Sequence, residues 1–204
     1  MVSGRGTAAQ EQWRSGVDGN ARLTGAAGAV IFVLLAVEGV TILRVHRLLS
    51  AHVFVGMLLV PVVVLKIGTT VYRFVRYYRG APAYAAKGPP AIGLRLAGPV
   101  VVVSTVAVFA TGIAALTVGR SSRWILSAHK ASFIVWFAAT TVHVLGHILE
   151  TPALASADWR RQHPQLAGTA LRRSLLLGAL GIGLVLAVLA LGWIGPWRHA
   201  AGRG

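Results

Sequence analysis

Residues 129 to 147 read HKASFIVWFAATTVHVLGH. His129, His143 and His147 stand in a segment otherwise built mainly from Ala, Phe, Val, Trp and Thr. A neutral imidazole offers one lone pair to a metal or proton and one N–H to a second partner. Histidines in so apolar a setting therefore point to metal ligation, proton transfer or the lining of a polar path. On a helix, His129 and His143 are separated by about 1,400° of rotation, roughly 40° short of four turns, and by a rise of ~21 Å. They share a face at opposite ends, and His147 follows His143 by one turn on the same stripe.

A second apolar segment opens SAHVFVGMLLVPVVVLK and carries His52 near its start. Fourteen residues on stands Lys66, where the other segment has His143. Glu38 is a further ionisable group in an apolar run, and it differs from Lys66 by roughly 14 Å in depth, too far for a direct ion pair. Glu38 reads as facing water near the outer histidines or relaying protons there. Pro61 removes a backbone donor and predicts a kink between His52 and Lys66. Gly56, one turn after His52, clears space on the histidine face. A histidine within a turn of a span end also serves as an ordinary interfacial polar group, and His46, His163 and His199 read that way.

Elements must hold these residues, and composition says what kind. The chain has 204 residues, 55% hydrophobic and 12% charged, with a mean hydropathy of +0.69. That composition predicts an all-α integral membrane protein. Five runs of about twenty residues are long enough to cross a ~30 Å hydrocarbon core. They cover about 23–43, 50–72, 96–118, 125–149 and 171–194. Residues 1–22 read as a disordered cytoplasmic tail, and 196–204 as a short C-terminal tail. The first run lacks a small-residue cleavage site, so a removed signal peptide is not expected.

The formal net charge is +15. Nearly all of it lies between the apolar runs, where Lys and Arg set topology and meet anionic lipid, and no soluble domain remains to bind nucleic acid. Twelve Lys and Arg lie in the N-terminal tail and the second and fourth loops, against seven on the other side. The N-terminus is therefore expected in the cytoplasm and the C-terminus outside. In the second loop, Tyr72, Tyr77, Tyr78 and Tyr84 interleave with arginines, which reads as an interfacial belt or a docking surface, with Pro82, Pro89 and Pro90 preventing a helix through its middle. Cysteine is absent, which excludes disulfides, thiolate-held clusters, thiol catalysis and covalent c-type haem.

The second and fourth runs are parallel, so His52 and His129 meet the membrane at the same outer depth. Two parallel helices of a bundle, each offering one imidazole, can clamp an iron porphyrin between them. This predicts a haem-binding bundle in which His52, His129 and His143 are axial ligands of haem iron. His147 is a further candidate, and Lys66 is a polar or propionate-pairing group. One b haem is expected, with a second possible around His143 or His147.

The segments HVFVG…K and LSAHKASFIVWFAATTVHVLGH resemble the H-x3-G and H-x13-H helices of small bacterial membrane b-type cytochromes. These include the cytochrome b561-like, ferric-reductase-like transmembrane and DUF4405 proteins. The resemblance covers about a quarter of the chain. It implies one or two bis-histidine b haems passing electrons between a quinone pool and a partner oxidoreductase. By position, His52 and His129 match one ligand pair and His143 a ligand of the other, while Lys66 stands where a histidine is expected. The YRFVRYYRG…GPP loop also resembles membrane proteins associated with molybdopterin oxidoreductases. Two other readings of the same groups stay open: an ion or solute transporter using intramembrane His, Lys and Glu, and a metal-binding membrane anchor or assembly subunit. Neither G-x-S-x-G nor H-E-x-x-H occurs.

Overall fold

A computed structural model of the chain describes residues 3–86, 88, 92–145, 155–158, 166–195 and 197. Among them the elements are helices α1 (Ser3–Leu43), α2 (Val45–Tyr78), α3 (Pro82–Ala86), α4 (Ile92–Val118), α5 (Arg123–Leu145) and α6 (Thr169–Leu191). Two 3-10 turns, Gly119–Ser121 and Gly192–Ile194, follow α4 and α6. Five segments are long and apolar enough to cross a membrane: Gly16–Leu43, Val45–Tyr78, Leu96–Val118, Arg123–Leu145 and Thr169–Ile194. The chain is a multi-pass, all-α membrane protein. A helix satisfies every interior backbone donor and acceptor within itself, which is what hydrocarbon demands. Large apolar side chains such as Val33, Val103, Ile134 and Leu177 face outward.

The helices form two groups. In the first, α2 packs along both α1 and α6. Leu23 and Ala27 of α1, Val62 of α2, and Leu176 and Ala179 of α6 make its core. A Cβ added at Gly183 of α6 would lie 2.6 Å from the Leu58 carbonyl oxygen of α2, so only glycine permits this crossing. Small residues let helices approach where no hydrophobic drive operates between them and lipid. The second group is the α4–α5 hairpin. The groups meet near one end, where Leu116, Ala190 and Ile194 pack with Leu49, Val53 and Met57.

Three sequence expectations are revised. Residues 1–22 were expected to be a disordered tail, yet α1 starts at Ser3 and continues through them. Tertiary partners explain the order of the last of these. Val17 is buried, Asn20 donates to the Thr69 carbonyl at 3.1 Å, and Arg22 pairs with Asp158 at 3.1 Å. Asp158 also accepts from Arg172 Nη2 at 2.9 Å. Burial pushes the Asp158 carboxyl up, but the hydrogen bonds and charges of Arg172 and Arg22 outweigh it and hold the group below its ordinary value. Second, Pro61 lies inside α2 without breaking it, and Leu48 is the residue of α2 with non-helical angles (φ −110°, ψ 23°). Third, the second loop contains the one-turn helix α3, which starts at Pro82, a first-turn position where the missing N–H costs nothing. Tyr84 of α3 is buried edge-on against Tyr72, with ring centres 6.0 Å apart. Pro89 and Pro90 lie outside the described residues.

Candidate functional site

Two tight hairpins set the depth of the two outer histidines. The α1–α2 connection turns at Arg44, where Arg47 and Leu48 both donate their N–H to the Arg44 carbonyl at 2.9 Å. Glu38 lies six residues before that turn and His52 eight after it, so the antiparallel helices bring them level. The α4–α5 connection turns through Gly119, whose φ of +67° suits a residue without a Cβ. Val108 and Gly112 precede Gly119 by 11 and 7 residues, a stretch that brackets the 10 by which His129 follows it.

Each histidine is held through Nδ1 by the helix before it. His52 Nδ1 lies 2.8 Å from Glu38 Oε1. Glu38 is 8% exposed, and Thr41 braces it, its hydroxyl 3.1 Å from Oε2 and 2.7 Å from the Glu38 carbonyl. His129 Nδ1 lies 3.1 Å from the Val108 carbonyl oxygen. Thr111 Oγ1 is 3.3 Å from the same nitrogen and 3.1 Å from Ser132 Oγ. A Cβ at Gly112 would come within 3.0 Å of His129 Cε1, so this glycine makes the seat for the ring.

These contacts fix the tautomers. A carbonyl oxygen can only accept, so His129 Nδ1 carries the proton and the neutral ring keeps its lone pair on Nε2. His52 Nδ1 donates in the same way to an ionised Glu38 carboxyl. Histidine ligands of metals are regularly held in this way, with the second ring nitrogen donating to a carboxylate or a backbone carbonyl.

The two rings come together. Their centres are 6.3 Å apart and their planes cross at 66°. Two imidazoles ligating one metal ion from opposite sides, each nitrogen ~2 Å from it, have ring centres about 6 Å apart. The helices bearing them, α2 and α5, do not pack along their lengths. Among the described residues no three His, Cys, Asp or Glu side chains gather as a metal site. A pair of imidazoles suits a metal whose other positions are filled by a non-protein ligand, as porphyrin fills four. In donor type and ring spacing the pair therefore suits two-imidazole ligation of a metal.

The remaining predicted residues lie elsewhere. Lys66 turns to α1, its Nζ 3.2 Å from the Thr24 carbonyl oxygen and close over Gly28. His143 sits half-buried in the last turn of α5, ~21 Å along the helix from His129. His147 lies outside the described residues. Sequence reasoning missed Thr41, Val108, Thr111, Gly112 and Ser132, and it put Glu38 near the outer layer without pairing it to His52. Counting residues outward from each turn would have found most of them.

Between α4 and α5 runs an apolar cleft of about 560 Å³, lined by Val100, Val103, Ser104, Ala107, Ser132 and Val135. Ser132 thus borders both the cleft and the hydroxyl chain that reaches His129. No family model, curated protein or solved structure matches the chain.

Proposed function

We propose that the chain is a membrane cytochrome b that holds one b haem between His52 and His129. It passes single electrons between a quinone pool or partner oxidoreductase subunit, molybdopterin-dependent or otherwise, and an acceptor. One observation carries the reading: two imidazoles from different helices lie with centres 6.3 Å apart and planes crossed at 66°, each with a partner at Nδ1. The bound haem would supply the one-electron chemistry.

The chain's own residues do the rest. Glu38 and the Val108 carbonyl keep the protons on Nδ1 and stop the rings from turning. Gly112 admits the His129 ring, and the contact among Leu116, Ala190 and Ile194 joins the two helix groups beside the pair. The cleft between α4 and α5 offers apolar walls that suit the tail of a quinone, while the Ser104 and Ser132 hydroxyls beside it donate to the Val101 and His129 carbonyls. Lys66 turns toward α1, and among the described residues no second histidine stands opposite His143 at the inner depth, so the reading assigns one haem. With the N-terminus cytoplasmic in a bacterial cell membrane, the pair lies toward the outer face.

The competing reading makes Glu38, His52 and His129 a proton relay, favoured by the 2.8 Å Glu38–His52 contact. A reduced-minus-oxidised absorbance spectrum of detergent-purified protein, with pyridine haemochrome quantification, separates the two. A b-type spectrum at about one haem per chain is expected. Colourless protein from haem-replete cells would overturn the cytochrome reading in favour of the relay.

A further inference from the structure

The two histidines are not held alike. His129 gives its Nδ1–H to a neutral backbone carbonyl, whereas His52 gives its own to a carboxyl. The carboxyl is buried, braced by Thr41, and has room beside Gly56, where a Cβ would make only ordinary contact at 3.6 Å. A carboxylate drawing on Nδ1–H raises the electron-donating power of Nε2 on the same ring. It also places a negative charge one ring away from any metal that Nε2 binds, with little water to screen it. Both effects favour the oxidised, more positive state of that metal.

We infer that Glu38 is a positioning residue that acts through His52 to lower the reduction potential of the haem site. This rests on the proposed function, and it adds a role that bis-histidine ligation alone does not imply. Ligand strength is thereby made unequal on the two sides, with His52 the stronger donor.

Potentiometric titration of the purified protein, followed by absorbance, tests this with wild type, Glu38→Gln and Glu38→Asp. Glu38→Gln keeps the size and an acceptor oxygen for Nδ1–H but removes the charge. In the haem this variant binds, the reduction equilibrium should shift at least tenfold toward the reduced form, a rise of about 59 mV for a one-electron couple. Glu38→Asp keeps the charge and draws it back from Nδ1, so its rise should be smaller. Full haem content with an unmoved or lowered potential in Glu38→Gln would overturn the inference and leave the cytochrome reading standing. Should Glu38→Gln not be recovered folded, an unmoved potential in Glu38→Asp has the same meaning. A wild-type protein without haem would remove both.

Discussion

Replacing His129 with alanine is expected to abolish the b-type absorbance that the proposed function predicts for the purified protein, with haem content falling at least tenfold. Among the described residues beside His129, Thr111 and Ser132 offer only hydroxyls in place of its imidazole nitrogen. The fold should survive, since the change frees the Val108 carbonyl of one partner, a loss of about 1–3 kcal/mol. His52→Ala should lose haem to the same extent and cost more stability. It leaves the buried Glu38 carboxyl without its Nδ1–H donor, and a buried acceptor left unsatisfied costs about 1–3 kcal/mol, more where it is charged. The double variant His52→Ala/Glu38→Gln should recover most of that stability and none of the haem. Haem quantification beside thermal unfolding in detergent reads both effects. Full haem in either histidine variant would show that the pair does not ligate.

The second large effect lies in packing. Gly183→Leu is expected to prevent recovery of folded protein, and Gly183→Ala to lower stability by about 1–3 kcal/mol. The contact is with the Leu58 carbonyl oxygen, which belongs to the α2 backbone and cannot rotate away. Relieving it means moving α2 off α6, and α2 also carries His52. Gly181→Ala, two residues along the same helix where nothing lies within 4 Å, should be neutral or stabilising, since alanine favours helix over glycine by about 1 kcal/mol. Equal melting temperatures for the two alanine variants would contradict the close α2–α6 crossing.

The spans were legible because hydrocarbon leaves one solution to a twenty-residue apolar run. The nearness of His52 and His129 was legible for a related reason: parallel helices with short turns hold residues equally far from those turns at one depth. The Glu38 partnership follows from the same arithmetic applied to α1 and α2, but it needs the turn at Arg44 located to within a residue or two. Lys66 illustrates the limit. Spacing from His52 fixes its depth, while its direction toward Thr24 and Gly28 depends on how α2 rotates against α1. Packing decides that rotation, through Val62, Leu23 and Ala27. The last residues of the expected tail escaped for a similar reason. Polar composition argues against a core, yet Asn20 and Arg22 are ordered by partners 49 and 136 residues away along the chain.

A single iron shared by His52 and His129 is tested most directly by low-temperature electron paramagnetic resonance of the oxidised wild-type protein. Two imidazole nitrogens are strong-field axial ligands, so a low-spin ferric signal equal in amount to the bound haem is expected. A high-spin ferric signal, or oxidised protein with no ferric haem at all, would contradict it.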